Sequence, residues 1–236
     1  MLTSLMEVPS NMTMRSFVNR RLRVLLLVAL FAGAVCAQNA APAQSPQRAT
    51  SAPYTGDLSI FDSPGREQRL HIDRVMDILG ITPGKSVADI GAGSGWFTVR
   101  AARRVGPSGT VYAVDINPEA IGYLDHRLQT ESVRNVKTIL SKPEDPMLPK
   151  EGIDAVLLLK TYHEVADPVA LLVHLRPALR AGARVGIIDR NGNGTNHGVS
   201  REVVVNEAAR AGYLLVRTYD FVKDDGMDYF LLFEVR

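Results

Sequence analysis

The sequence predicts an α/β protein: a doubly wound, mostly parallel seven-stranded sheet that ends in an antiparallel C-terminal hairpin. Three observations carry this. Apolar runs of strand length alternate with segments of helical periodicity from residue 86 to residue 211, the pattern of a parallel sheet with helices on both faces. A glycine cluster, Gly91-Ala92-Gly93-Ser94-Gly95, interrupts the chain between the first strand and the first helix of that alternation. The last two apolar runs are joined by Asp225-Gly226, a tight-turn pair that points to a hairpin and not a crossover.

The elements follow in order. Residues 1–37 read as a signal peptide: Arg15, Arg20, Arg21 and Arg23 precede the apolar run Val24 to Val35, which ends in small residues suited to cleavage after Ala34 or Ala37. The run is too short to span a bilayer, which takes about 17–25 residues, so no stable membrane insertion is expected after cleavage. The mature chain is expected to be exported, periplasmic or secreted. Cys36 is the only cysteine, and Val35 and Gly33 beside it do not suit lipid attachment. Cleavage after Ala37 leaves no cysteine and hence no disulfide. Residues 38–60 are expected to be a flexible linker, because Ala, Pro, Gln, Ser and Thr cannot bury enough surface to offset chain entropy. The domain is expected over residues 61–236.

Ser63-Pro64 is a helix start, and Leu70, Val75, Met76, Ile78 and Leu79 continue at helical spacing to Gly80. Arg66 and His71 on this helix read as exposed. Strand 86–90, helix 95–105, strand 110–115, helix 118–130 and strand 135–140 come next. Strand 153–159, helix 168–180, strand 183–189, helix 200–211 and strands 213–220 and 228–235 complete the domain. Gly106-Pro107-Ser108-Gly109 and Arg180-Ala181-Gly182 read as loops. Of 27 basic and 25 acidic residues, four arginines and one glutamate lie in residues 1–37. The remainder is close to neutral, which gives no support to a nucleic-acid or anionic-membrane partner.

The glycine turn carries the functional reading. Val87-Ala88-Asp89-Ile90 is a buried strand that breaks into glycines and restarts as a helix at Trp96. Such a turn presents bare backbone and free helix N–H groups at the carboxyl edge of the sheet, where nucleotide-like ligands sit. About twenty residues on, Val111 to Asp115 is a second strand ending in a carboxylate suited to ribose hydroxyls. The glycine spacing is G-x-G-x-G, with Trp96 where a dinucleotide fingerprint has its third glycine, so a nicotinamide cofactor is disfavoured.

Over residues 61–190 the chain resembles the class I S-adenosylmethionine-dependent methyltransferases, nearest their small-molecule branch of ubiquinone/menaquinone and arsenite methyltransferase types. The resemblance implies a Rossmann-like sheet and S-adenosylmethionine as cofactor. It implies that Gly91, Ala92, Gly93 and Gly95 form the turn beneath the ligand and that Asp89 serves the methionine amino group. Asp115 would hold the ribose and Ile116 cover the adenine. Glu144 or Asp145 stands where the family binds the adenine amino group, although Ser141-Lys142-Pro143-Glu144-Asp145 departs from its usual sequence. The absence of further cysteines argues against arsenite as substrate.

Chemistry at the acceptor end is expected after the fourth strand, at Lys160-Thr161-Tyr162-His163-Glu164. His163 is the candidate base, or else a helix cap; Glu164 could orient it or bind substrate. Asp189-Arg190 lies on the same edge. His163 with His197 is too little for a metal site, and none is expected. The leading reading is in-line methyl transfer to a small-molecule or lipid-like acceptor. The other is an exported, non-catalytic binding protein that uses the same scaffold to recognise an adenosine-like ligand.

Overall fold

The computed structural model describes residues 50–193, 196–222 and 227–236. The expected signal peptide, residues 1–37, and the Asp225-Gly226 turn lie outside the described residues. The fold is a seven-stranded sheet flanked by helices. Its strands are β1 (Ser86–Ile90), β2 (Thr110–Asp115), β3 (Val136–Leu140), β4 (Ile153–Leu159), β5 (Leu179–Arg190), β6 (Tyr213–Tyr219) and β7 (Asp228–Val235). Its α-helices are α1 (Arg66–Leu70), α2 (Ile72–Leu79), α3 (Trp96–Val105), α4 (Pro118–Thr130), α5 (Pro168–Leu175) and α6 (Arg201–Arg210).

The strand order is β3-β2-β1-β4-β5-β7-β6. Strands β1 to β5 pair in parallel, and β7 inserts antiparallel between β5 and β6. This is the Rossmann-like arrangement with an antiparallel end that the sequence predicts. The central strands are buried on both faces, so β4 reads Ile153-Asp154-Ala155-Val156-Leu157-Leu158-Leu159 without polar alternation. One face of the sheet packs on Tyr162, Leu172 and Val204, the other on Leu79, Phe97 and Phe230.

Two expected elements differ. The helix predicted from Ser63-Pro64 to Gly80 is broken: Gly65 and His71 are left-handed (φ 77° and 47°), giving the short α1 and then α2. Leu70 and Ile72 are both buried, and on one unbroken helix residues two apart would point to opposite sides. The helix predicted over 168–180 stops at Leu175. A 3-10 turn containing Pro177 follows, and β5 begins at Leu179. The expected Arg180-Ala181-Gly182 loop survives as an exposed irregularity in β5, where the pairing jumps from Ile153↔Leu179 to Ala155↔Arg184.

The order also locates a crevice. From β1 the chain builds outward through β2 and β3, then crosses to β4 on the other side of β1. At this reversal the connections after β1 and β4 lead off to opposite sides of the sheet, and a crevice lies outside the carboxyl ends of the strands.

Candidate functional site

A cavity of about 790 Å³ opens at that reversal, bounded by the loops after β1, β2, β3 and β4. The turn after β1 forms its floor. The N–H groups of Gly91 and Ala92 both donate to the Val114 carbonyl, at 2.8 and 3.0 Å, which folds the turn back over β2. Gly91 has φ +74°, and a Cβ there would collide with the Thr161 side chain. Only glycine lets the two loops meet so closely. Gly95, at φ +76°, precedes α3 and faces Leu124. It shapes the turn from behind; Gly91, Ala92 and Gly93 are on the cavity wall.

Two carboxylates face the cavity from neighbouring strands. Asp115, at the end of β2, accepts the Gly93 N–H and the Asn117 N–H, each at 2.9 Å. It thereby fixes the glycine turn while keeping lone pairs toward the cavity. Asp89, in β1, is 2% exposed and accepts the Thr98 hydroxyl at 2.6 Å. Burial pushes its carboxyl up to about 7, opposed by the Thr98 hydrogen bond and the Arg66 charge and reinforced by the negative charge of Asp115. Arg66 is therefore not the exposed residue expected: it is buried on the wall, donates to the Phe61 carbonyl at 2.7 Å and lies 4.5 Å over the Trp96 ring. His71 is exposed, as expected.

At the far rim Ile116 is 43% exposed, an apolar side chain beside the mouth. The wall below β3 is made by Ser141, Lys142 and Pro143. Glu144 and Asp145 are not on it, which corrects the expectation for both. Lys142 and Asp145 close a tight turn through mutual backbone hydrogen bonds, and the Asp145 carboxylate caps the Met147 N–H at 2.8 Å. Glu144 is exposed and its carbonyl meets His174 Nδ1 at 2.6 Å. The turn carries both acids past the rim.

The loop after β4 supplies the opposite end. It tightens into a 3-10 turn, Tyr162–Glu164, anchored by Tyr162, which is fully buried and donates to Glu207 at 3.0 Å. His163 and Glu164 then face the same space, with Nε2 and Oε1 3.7 Å apart. Behind His163 lies Asp189, fully buried at the end of β5. Asp189 meets His163 Nδ1 at 2.8 Å and accepts the His163 N–H at 3.0 Å and the Arg190 N–H at 2.7 Å. Against a carboxylate Nδ1 is the donor, and Nε2 is the ring nitrogen turned away from Asp189. Burial pushes the Glu164 carboxyl up to about 7; the negative charges of Asp189 and Asp115 add to this, while His163 and the Tyr54 N–H oppose it.

Sequence reading missed three contributors. Thr161 was part of the polar run but gave no sign of its contact with Gly91. Asp189 was placed on the correct edge, without its pairing to His163. Residues 50–54 lie along the cavity although they fall in the expected linker: Ser51 is buried and accepts the His197 N–H at 2.9 Å. His197 itself lies beside His163, ring centroids 5.9 Å apart.

A methyltransferase domain family matches residues 81–210. A protein-L-isoaspartate O-methyltransferase of Pyrococcus horikoshii is 30% identical over 103 residues, 44% of this chain and 45% of that protein. The nocamycin O-methyltransferase of Saccharothrix syringae is 29% identical over 129 residues, 54% of this chain and 46% of that protein. The chain thus spans about half the length of the curated relatives it matches. In fold it is similar to a SAM-dependent methyltransferase from Aquifex aeolicus, with a TM-score of 0.70 at 23% identity, over 77% of this chain and all of that one. Since the family match takes in more than half of the chain, from just before β1 through α6, the chain belongs to the class I S-adenosylmethionine-dependent methyltransferases, and S-adenosylmethionine is its cofactor.

Proposed function

We propose that the protein transfers a methyl group from S-adenosylmethionine to a small-molecule or lipid-like acceptor by in-line displacement. The observation that carries this reading is the division of one cavity into two unlike ends. The end at Asp89 and Asp115 suits the cofactor. Asp89 is a buried carboxyl that gains most from a cation, and the methionine ammonium provides one. Asp115, held by the Gly93 and Asn117 N–H groups, has acceptor capacity left for two ribose hydroxyls. Gly91, Ala92 and Gly93 let the ligand rest on bare backbone, and Ile116 covers the adenine.

The other end suits the acceptor. When bound, S-adenosylmethionine supplies a methyl group on a sulfonium, already activated for displacement. What remains for the chain is to align the acceptor, exclude water and take up a proton. His163, on the cavity wall, suits the last of these, with Nδ1 held by Asp189 and Nε2 without a hydrogen-bond partner among the described residues. Glu164 orients the acceptor. Residues 50–54 cover this end, which keeps water from the reacting atoms. The relatives include a nocamycin O-methyltransferase and a ubiquinone/menaquinone biosynthesis C-methyltransferase, which supports a small-molecule acceptor. We also propose export, on the signal-like character of residues 1–37.

Calorimetric titration of the purified protein with S-adenosylmethionine and S-adenosylhomocysteine, with NAD as control, is the first test. Micromolar binding of the first two and none of NAD is expected, followed by transfer of labelled methyl to a member of a small-molecule acceptor panel. Binding without transfer to any acceptor would favour the exported binding protein. No binding of either sulfur ligand would remove the cofactor end of the reading.

A further inference from the structure

We propose that His163, Glu164 and His197 form a binding site for a first-row divalent transition metal of the zinc class at the acceptor end of the cavity. Each of the three side chains offers one donor atom, and these atoms all lie within 4.8 Å of one another. By spacing in the chain, His163 and His197 lack a third donor. The missing carboxylate is the adjacent residue, Glu164, brought to the same side by the 3-10 turn.

The second, independent observation is His163 itself. It is 4% exposed, and its Nε2 has no hydrogen-bond partner among the described residues. Glu164 Oε1 stands 3.7 Å from it, beyond hydrogen-bond reach. A buried nitrogen lone pair without a donor is costly unless something occupies it. A metal ion does so, and the opposite side of the ring is already prepared. Nδ1 donates to Asp189, the carboxylate–histidine pairing that fixes the tautomer of a metal-bound imidazole and strengthens it as a ligand.

Reach is sufficient. Donors around a tetrahedral zinc, with bonds of ~2.0–2.2 Å, sit roughly 3.3–3.5 Å apart. His163 and Glu164 are already near that spacing. His197 has the furthest to come, and it is exposed, with room to turn. Its N–H donates to the Ser51 hydroxyl at 2.9 Å, and two residues on the Val199 N–H donates to the Arg190 carbonyl at 2.8 Å. Two imidazoles and one carboxylate are the donor set of zinc and its neighbours. Magnesium and calcium prefer all-oxygen shells. Three protein ligands leave a fourth position facing the cavity. An acceptor oxygen or nitrogen held there would be polarised by the ion and would release its proton to solvent more readily, while the same ion would bar His163 from the base role, because metal and proton compete for the same Nε2 lone pair.

The site does not depend on methyl transfer, and the test keeps the two apart. Zinc is titrated into the purified protein after chelator treatment, against a chromophoric zinc indicator. One zinc per chain at micromolar or tighter affinity is expected. His197→Ala and Glu164→Gln should each weaken it by at least about tenfold, and Asp189→Asn by roughly 10–100-fold through the imidazole it orients. His126→Ala, on the exposed side of α4, controls for adventitious surface zinc and should leave the affinity unchanged. His197→Ala changes an exposed side chain, so its unfolding midpoint should match that of the unmodified protein. Asp115→Ala should lose S-adenosylhomocysteine affinity and keep zinc, so failure of the cofactor reading would leave this one standing. The proposal is overturned if the protein binds no zinc at micromolar concentrations, if His197→Ala and Glu164→Gln both bind it unchanged, or if excess magnesium displaces it.

Discussion

Asp89 is the side chain whose state most depends on what the cavity holds. In the folded protein without ligand its carboxyl is raised to about 7, against 3.8 for the free group, so the folded chain holds that proton more tightly than the unfolded chain does. The resulting contribution to stability is complete below about pH 4 and is lost as pH rises through about 7. A ligand ammonium reverses the preference, because it favours the ionised carboxylate. Binding of S-adenosylhomocysteine should therefore release a proton, and affinity should rise between roughly pH 5 and pH 8. Calorimetry in buffers of different ionisation enthalpy reads both effects; a flat profile with no proton release would detach Asp89 from the ammonium. Asp115 should behave differently. Asp115→Ala should weaken binding by about 1–3 kcal/mol, the usual cost of leaving buried hydrogen-bonding groups unmet, in the same direction at every pH. His163→Ala should leave binding nearly intact and, in the metal-free protein, lower turnover by roughly 10²–10⁴. Single-turnover kinetics beside equilibrium binding separates the two, and normal turnover would reduce His163 to a structural residue.

The strand–turn–helix from β1 to α3 was legible because its constraints are local. Glycines, a preceding apolar strand and a following helix are all written within a dozen residues. The structure adds the reason Gly91 tolerates no replacement, which is the Thr161 side chain arriving from the loop after β4. Gly91→Ala should cost more than the ~1–2 kcal/mol of a left-handed residue alone, because the collision adds to it. Thr161→Ala in the same chain should restore part of that loss, since contacting residues couple by about 0.5–3 kcal/mol. Urea unfolding of both single variants and the double variant measures the coupling. Strict additivity would mean that the loops do not meet as described. The elements read less well were those governed by packing. The break at His71 serves the joint burial of Leu70 and Ile72, and β5 starts early because Leu179 pairs with Ile153 across the irregularity at Arg180-Ala181-Gly182. Neither demand is visible in local periodicity, which records only the preference of a segment for helix or strand.

Across the whole molecule the same division holds. The end of the cavity at the glycine turn was legible, as one continuous motif and one carboxylate a fixed distance later. The end at His163 was not, because it is assembled from Ser51, Tyr54, His163, Asp189 and His197, whose meeting depends on sheet order and on the path of the segment before β1. Composition alone marked residues 38–60 as linker; the burial of Ser51 follows from partners far along the chain. A cavity built from segments between Thr50 and His197 has a global consequence. Ligand that binds only the folded state stabilises the whole unit, by about 2.7 kcal/mol at a concentration of 100 Kd. For a domain of this size each kcal/mol raises Tm by about 2–4 °C. S-adenosylhomocysteine at that excess should therefore raise the unfolding midpoint by roughly 5–10 °C. NAD at the same concentration should not move it. Asp115→Ala should shift the response to higher ligand concentration in proportion to its weakened affinity, with no change in the largest shift reached at equal saturation. A midpoint indifferent to S-adenosylhomocysteine, in a protein that melts cooperatively without it, would mean that the cavity does not hold the cofactor.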